Sequence, residues 1–411
     1  MVTLKSAENV LKEVYLGVLQ NQLNVSVNPL LSKIKRTTKD VWGKEIIKLA
    51  PFGINGGVMA GGENDRLPNV GGNNYVQFRS TLKNLYGRIQ ITDKAVRASQ
   101  NNLGAFVSLL ADEMDGLVKS SIFNLGRMLY SDGSGRLAKV KNESIDYSGP
   151  EGVFTLDRLN NVVEGMIVDI CSKDGVYKMK NARILQIDRE KKQIITDTRA
   201  TPPDEDENYL CVQSSYNNEI TGINALFSKS DTLYGVNRSE HMWLNPYVST
   251  TETEISDNLI QSAIDFLEEY ADSKINYIAC SKPVRRAYQQ YLTAYRSNID
   301  ILNLDGGFKA ISYNGIPLVG DRFVEDDTMF LLNTNDFTMH ELCDWTWLSS
   351  ENGDILKQNE AYPYYTATLV KYAELICDKP NGQAKISGIK STVTNPFIAN
   401  ATKTSEITTE V

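Results

Sequence analysis

The sequence has little of what most enzymes and nucleic-acid readers need. Its 411 residues include only two histidines, His241 and His340, and five cysteines, none of them in a C-x-x-C pair. This cysteine usage argues against both a disulfide framework and a zinc site, and it favours buried free thiols. The phosphate-loop, dinucleotide-binding, zinc-protease and nucleophile-elbow motifs do not occur in the sequence.

The remaining candidates for chemistry are weak. His340 and Cys343 are neighbours and form the best available nucleophile pair, although a structural role explains each of them more simply. Adjacent carboxylates such as Glu268–Glu269 and Asp326–Asp327 need not face one cleft, and a solvated surface accounts for them. The acidic run 204–208 lacks the ligand spacing of a calcium loop. We therefore expect no catalytic residue, no cofactor and no metal ion.

Positive charge and long apolar runs are also scarce. The formal net charge is -8, and no cluster of Lys and Arg suggests a surface that neutralises phosphates, so a dedicated nucleic-acid reader is disfavoured. A position close to nucleic acid without tight binding is compatible with this charge. No run approaches the 18 or so apolar residues of a membrane span, and the first segment mixes Glu and Lys into its apolar positions, unlike a signal peptide. We expect no membrane contact.

One stretch lacks lysine and is rich in glycine. Residues 51–72 hold seven glycines, and no lysine occurs from Phe52 to Leu82. Most connections inside compact domains are shorter than about 12–15 residues, so this stretch is too long for a simple linker. It is either disordered or held by something outside the chain. The residues at 73–92 have partly alternating polarity, which predicts a long hairpin with a glycine-rich tip.

The chain that follows has helical spacing up to Tyr130, where SDGSG stops it. Asp93 is a plausible N-cap, and 38 residues at 1.5 Å each would make a helix of roughly 57 Å. Gly104, Gly116 and Gly126 each cost about 1 kcal/mol relative to alanine, which close approach of another backbone would explain. Such a helix typically supports other elements or other subunits along its length.

The second half of the chain has two further patterns. Residues 140–222 contain short β-rich runs between turn signals, which predict a small all-β insertion. Residues 255–345 alternate helical and strand patterns, and 344–377 hold aromatic-rich extended segments. The last residues, STVTNPFIANATKTSEITTEV, lack periodicity and predict a flexible tail. A chain of 411 residues is long enough for two or three domains, and 41% hydrophobic residues are enough to give them buried cores.

Several segments together resemble tailed-bacteriophage major capsid proteins, the Hong-Kong-97-type fold that encapsulin shells also use. The segments are LYGRIQITDKAVRAS, GAFVSLLADEMDGLVKSSIFNLGRMLYSDGSG, SYNGIPLVGDR and TMFLLNT. The resemblance covers most of residues 50–390, and it is carried by the combination and order of elements rather than by one motif. It implies an α+β fold. The implied parts are an N-terminal arm (1–50), an extended loop (51–92), the spine helix of a peripheral domain (93–139), an all-β insertion domain (140–222), peripheral-domain segments (223–254 and 345–380), an axial domain (255–344), and a C-terminal strand with a flexible tail (381–411).

The resemblance also implies how the chain functions. The extended loop would contact a neighbouring subunit, and the chain would self-assemble into pentamers and hexamers of a virion head enclosing double-stranded DNA. The absence of lysine in the loop predicts a shell without covalent cross-links. The loop residues implied in the contact are Gly56, Gly57, Gly61, Gly62, Arg66, Gly71 and Gly72.

Partners and location follow from the same resemblance. Only about ninety residues precede the expected spine helix, so we expect a separate scaffolding protein. Portal and decoration proteins are further expected partners, and packaged DNA would be contacted weakly. The protein would be made in the bacterial host cytoplasm and would reside in the virion.

Two other functions are compatible with the sequence. An encapsulin-type compartment would use the same fold and would need cargo-loading surfaces. A soluble α/β enzyme is disfavoured by the missing motifs. Packaged DNA, enclosed protein cargo, or turnover by a monomer would distinguish the three.

Overall fold

A computed structural model describes most of the chain. The described residues are 28–63, 65–94, 103–146, 151–199, 207–295, 301–303, 309–349, 354–358 and 361–391. Most of the expected N-terminal arm, the tail after Ser391 and most of the acidic run 204–208 lie outside these residues.

The described chain contains five labelled helices and twenty-three strands. The helices are α1 (Pro29–Lys33), α2 (Leu103–Tyr130), α3 (Ile223–Phe227), α4 (Asp257–Ala271) and α5 (Lys282–Tyr295). The first eleven strands are β1 (Lys35–Thr37), β2 (Val41–Trp42), β3 (Glu45–Phe52), β4 (Asn74–Thr81), β5 (Lys83–Thr92), β6 (Arg136–Asp146), β7 (Gly152–Leu156), β8 (Ile167–Ser172), β9 (Tyr177–Asp188), β10 (Gln193–Thr196) and β11 (Asn208–Val212). The others are β12 (Thr232–Leu233), β13 (Val236–Asn237), β14 (Tyr247–Thr250), β15 (Tyr277–Cys280), β16 (Ile301–Asn303), β17 (Lys309–Tyr313), β18 (Ile316–Gly320), β19 (Met329–Leu332), β20 (Phe337–Trp347), β21 (Lys357–Gln358), β22 (Tyr364–Cys377) and β23 (Ala384–Ser387).

The long strand β22 organises a five-stranded sheet. It pairs antiparallel with β20 and β21, and with β5 over ten residues from Lys83 to Thr92. From Asn84 to Thr92, strand β5 alternates between exposed and buried residues, as expected for a strand with one face on a core. Strand β1 completes the sheet by parallel pairing with β20.

Helix α2 packs on the buried face of β5. Its 28 residues span about 42 Å at 1.5 Å per residue. Gly87 of β5 lies directly beneath the helix, because a Cβ there would come within 2.8 Å of Leu117 Cδ1. The helix buries an apolar stripe at helical spacing. The stripe consists of Met114, Val118, Leu125 and Leu129.

The expectation that another backbone approaches the helix glycines is wrong at Gly126. A Cβ at Gly126 would lie 2.6 Å from Cε2 of Phe323, so a ring rather than a backbone occupies this space. No atom lies within 4 Å of a Cβ at Gly116 among the described residues. The side-chain surroundings of Gly104 are outside the described part.

Strands β6 to β11 close into a barrel with its own core. The strand order around the barrel is β10, β7, β6, β11, β8 and β9. Fourteen buried residues fill it, including Phe154, Leu156, Ile170 and Leu210, and this cluster is separate from the other two cores. Closure leaves the barrel without the open sheet edges that promote unwanted pairing.

A seven-stranded mixed sheet forms the third unit. Its order is β14, β23, β19, β15, β18, β17 and β16. Helix α4 begins at the N-cap Ser256, whose side chain accepts a hydrogen bond from Leu259 N, and it ends at Asp272 in the left-handed conformation. Buried residues of α4 and α5, such as Leu267 and Tyr288, join the core of this sheet. The mixed α and β character expected from the sequence is confirmed.

Two buried ionic groups connect distant parts of the chain. Arg127 of α2 donates two hydrogen bonds to the carboxylate of Glu219, and both side chains are 1% exposed. Lys371 of β22 pairs with Glu341 at 2.9 Å and with Asp344 at 2.8 Å. Breaking a buried pair by removing one partner is costly, because the other charge is left without compensation.

Arg127→Met should therefore lower the free energy of unfolding by about 3–5 kcal/mol, because it strands the buried Glu219 carboxylate. The matched control is Lys139→Met, which removes the exposed Lys139–Glu207 pair at 2.6 Å and should cause no measurable change. Urea denaturation of both variants checks this. Equal losses for the two variants would contradict the argument.

Glu374 of β22 should make stability depend on pH. Burial raises the pKa of Glu374 to about 7, although its carboxylate accepts hydrogen bonds from the backbone N–H groups of Thr221 and Leu375. The unfolded pKa is about 4.3, so the folded state binds the proton more tightly between these values. Stability is then lost as pH rises from about 4 to 7, by roughly 4 kcal/mol.

Glu374→Gln should remove this component, so the variant gains stability relative to the wild type as pH rises through that window. The difference should level off above pH 7. Parallel stability profiles of the two proteins, measured by urea denaturation from pH 4 to 8, would rule this assignment out.

Candidate assembly surface

The hairpin of β3 and β4 has a root that is firmly attached to the protein body. Its strands pair over eight residues, from Glu45 opposite Thr81 to Phe52 opposite Asn74. Phe78 is fully buried, with its ring centroid 5.4 Å from that of Tyr234 and 6.2 Å from that of Trp243. Phe52 stacks on Trp243 with the rings 5° from parallel. The base of the hairpin is thus part of the main core.

Polar contacts fix the same root. Arg79 N donates a hydrogen bond of 2.9 Å to the carbonyl oxygen of Tyr234. Lys48 Nζ lies 2.7 Å from the carboxylate of Asp378, which follows β22. The direction in which the hairpin leaves the body is therefore set by both packing and charge.

The two halves of the glycine-rich tip approach each other closely at Gly57 and Gly71. A Cβ on Gly57 would lie 2.8 Å from Gly71 N, and a Cβ on Gly71 would overlap the backbone of Gly56 and Gly57. Asn55 reinforces the contact, since its Oδ1 accepts a hydrogen bond from Gly57 N at 3.0 Å. These two glycines are required by the chain's own geometry.

Gly61 and Gly62 form the turn at the far end. Asp65 N donates to the carbonyl of Gly62 at 3.1 Å, and the Asp65 carboxylate accepts from Gly62 N. A Cβ on either glycine would lie within 3.2 Å of another side chain. The acidic turn is thus held by its own side chain.

Gly56, Gly72 and Arg66 have no comparable contacts with the described residues. No described atom lies within 4 Å of a Cβ on Gly56 or Gly72, and neither residue has positive φ. Arg66 is exposed and forms no ion pair with the residues that the structure describes. The structure thus gathers all seven loop residues into one projecting tip, but only some of them are needed to shape it.

The tip also exposes apolar side chains that were not among the expected site residues. They are large residues with nearly complete solvent exposure, and the described chain does not cover them. They are Ile54 (89% exposed), Val58 (87%), Leu67 (85%) and Val70 (100%). The signal in the sequence was the presence of apolar residues in a glycine-rich stretch that has no periodicity to bury them.

The chemical candidates do not converge on a site. His340 is buried, its Nδ1 lies 3.0 Å from the carbonyl oxygen of Lys39, and burial lowers its pKa. No hydrogen bond joins His340 to Cys343 in the described chain. Four of the five cysteines are buried, and Cys343 is half-buried. Among the described residues, no group of three or more His, Cys, Asp or Glu is placed to hold a metal ion.

Glu207, the described end of the acidic run, is occupied by protein partners. It pairs with Lys139 and accepts a hydrogen bond from the hydroxyl of Tyr209 at 2.8 Å. The hydrogen bond from Lys139 makes the largest contribution, and the one from Tyr209 the next, to lowering the pKa of Glu207 to about 2.

None of the described helices is long and apolar enough to cross a membrane.

Comparison with solved structures identifies the fold. A chain of the cyanophage A-1(L) capsid asymmetric unit matches with a TM-score of 0.53 at 11% identity, over 89% of this chain and 94% of that chain. The capsid of a native GTA particle matches with a TM-score of 0.46 at 11% identity, covering 89% and 91%. The SrpI encapsulin of Synechococcus elongatus matches with a TM-score of 0.44 at 9% identity, covering 90% and 91%.

The match to the cyanophage chain is the one of these three with a TM-score above 0.5. It shows that this chain has the fold of a bacteriophage capsid protein, as the sequence resemblance predicted. The sequence itself matches no protein-family model, and a comparison with curated proteins finds no significant match.

Alanine substitutions should distinguish the two kinds of tip glycine. Gly71→Ala should open the contact with Gly56 and Gly57 and speed amide hydrogen exchange at Gly57, because the bond to Asn55 is lost. Gly72→Ala has free space and should leave exchange unchanged. Exchange measured on the isolated subunit checks both, and equal effects at the two positions would contradict the described geometry.

Proposed function

We propose that this chain is a major capsid protein that assembles with copies of itself into a bacteriophage-type shell. The observation that carries the proposal is the hairpin tip, which is rigidly rooted yet exposes apolar residues that the described chain does not cover. Surface of this kind typically marks a protein interface. The likeness in fold to a cyanophage capsid chain supports the same reading.

The parts of the fold suit the roles that the resemblance implies. In this proposal the extended loop is β3, β4 and their tip, residues 45–81 rather than the expected 51–92, because β3 pairs with β4 whereas β5 pairs with β22. Helix α2 is the spine helix of a peripheral domain that includes β5, β20 and β22. The seven-stranded sheet with α4 and α5 is the axial domain. The barrel of β6 to β11 is an inserted domain.

The assembly we propose is head-to-tail. A tip that binds a different surface on the next copy gives a heterologous contact, which closes into rings such as pentamers and hexamers when the rotation allows. Each later contact in a ring is effectively intramolecular, so weak individual contacts give a stable shell. The loop has no lysine between Phe52 and Leu82, in keeping with a non-covalent shell.

The proposed contents and partners follow from charge and from the family. The net charge of -8 would let packaged double-stranded DNA lie against the wall without binding it tightly. A separate scaffolding protein, a portal and decoration proteins are the partners we expect, with the mature protein located in the virion.

The exposed apolar tip provides the test. The double variant Val58→Asp with Val70→Asp should abolish large particles, because an interface that buries unpaired carboxylates is strongly disfavoured. The matched control is Val176→Asp, at a barrel residue that is 56% exposed and outside the tip. Sedimentation velocity and electron microscopy of the intact chain and of both variants, with the scaffolding protein supplied if needed, measure the outcome.

Shells from the intact chain and from the barrel variant, but not from the tip variant, are the expected result. A strict monomer under all conditions would overturn the capsid proposal. The contents of any shell discriminate further, because double-stranded DNA fits a virion head whereas enclosed protein cargo would indicate an encapsulin-type compartment.

A further inference from the structure

Strand β14 forms one edge of the seven-stranded sheet. It pairs in parallel with β23 on one side and with no described strand on the other. The N–H groups of Tyr247 and Thr251 donate toward the β23 side, so the backbone groups of Val248 and Thr250 point outward. Among the described residues, none bonds to these outward groups. Natural proteins usually cover an edge of this kind, because it offers unpaired groups to other strands.

A groove of about 600 Å³ lies beside this edge, and we call it the β14 groove. Apolar side chains of α3, of the segment before β14 and of β14 itself line it: Leu226, Phe227, Met242, Pro246 and Val248. Both Met242 and Val248 are more than half exposed. An open strand edge with pockets for alternate side chains is a common means of binding an extended peptide.

The described part of the chain ends close to the same edge. Lys390 N donates a hydrogen bond of 3.0 Å to the carbonyl oxygen of Thr253, and the last described residue here is Ser391. Val248 lies five positions before Thr253, about 17 Å away along an extended strand, and seven residues after Ser391 span up to about 23 Å. The tail that follows, residues 392–411, can therefore reach the β14 groove. So short a tether gives an effective concentration on the order of millimolar.

The first part of this tail has the properties of an added strand. Asn395 and Pro396 favour a turn, and pairing would begin after Pro396 because proline cannot donate to a ladder. Residues 397–402 contain no proline, glycine or charged residue. In an extended strand Phe397 shares one face with two alanines, whereas Ile398 shares the other face with an asparagine and a threonine.

We propose that residues 397–402 turn back antiparallel to β14, pair with its outer edge and place Phe397 in the β14 groove. The face that carries Phe397 is the more apolar one, and it lies against Val248 and Met242. Ile398 falls on the opposite face. This inference concerns the tail of a single subunit and does not depend on shell assembly.

Charge favours the chain's own tail as the occupant. The charged residues that line the β14 groove are Lys229, Asp231 and Arg238, so two cations face one carboxylate. Arg238 is buried, its guanidinium donates to two backbone carbonyl groups, and it forms no ion pair with the described residues. Beyond residue 402 the tail has two glutamates and one lysine, which gives it the opposite sign. Complementary charge of this kind sets orientation and partner choice.

Hydrogen exchange of the outward amides tests the pairing. In the intact monomeric chain, the amides of Val248 and Thr250 should exchange at least tenfold more slowly than in a variant that ends at Ser391. The amide of Ser249 points toward β23 and is the internal control for an intact sheet. Equal exchange of Val248 and Thr250 in the two proteins, with Ser249 unchanged, would overturn the proposal.

Two substitutions in the intact chain test which face of the tail enters the groove. Phe397→Asp should speed exchange at Val248 and Thr250 about as much as truncation does, because a carboxylate would be buried against apolar side chains. Ile398→Asp is the matched control on the opposite face and should have a much smaller effect. A larger effect of Ile398→Asp would show that the placement of Phe397 is wrong.

Dilution tests whether the occupant is the chain's own tail. Protection of Val248 and Thr250 that stays constant over a hundredfold dilution supports pairing within one subunit. Protection that is lost on dilution would mean that the tail of a second copy covers the edge, and it would overturn the assignment to the same chain.

Discussion

The ladder between β22 and its two neighbours is the interaction on which the rest of the fold depends. Strand β22 holds β20 on one side and ten residues of β5 on the other. Helix α2 packs on β5, and the hairpin root is tied to the end of β22 through Lys48 and Asp378. Buried Lys371 and Glu374 lie within this same strand, so its pairing has to satisfy charged groups as well as backbone. A change that breaks this ladder would release the helix and the hairpin together.

The backbone polar groups and apolar side chains of the described fold are therefore of two kinds. Some are bonded or buried within the chain, and others are exposed. The root of the hairpin is held by aromatic packing, a backbone hydrogen bond and an ion pair, and the barrel closes on itself. The tip and the outer edge of β5 are the opposite case. Apolar side chains of the tip are exposed, and no described residue outside β22 bonds to the backbone of residues 84–91. Two such surfaces on one chain, different from each other, are what a repeating head-to-tail assembly needs.

Local patterns revealed the elements of this fold but not how they meet. The end of α2 at Tyr130 and the helix and strands after residue 255 follow from periodicity and stop signals. Closure of the barrel and the pairing of Arg127 with Glu219, 92 positions later, depend on contacts between distant residues and leave no local signal. The same holds for Gly57 and Gly71, whose need for glycine arises from each other. The exposed apolar residues of the tip were visible in the sequence, but only the structure shows that nothing described here covers them.

The barrel begins and ends on neighbouring strands. Arg136 of β6 lies opposite Cys211 of β11, so the chain enters and leaves this unit within one strand spacing. Because these two points are neighbours, a short turn that joins the residues before Arg136 to those after Val212 could replace the whole unit. Exchange of the barrel for another domain would remove the Arg158–Glu325 ion pair at 2.8 Å but would leave the other two hydrophobic cores in place. This makes it the natural position on the subunit at which new binding properties could be added during evolution or by design.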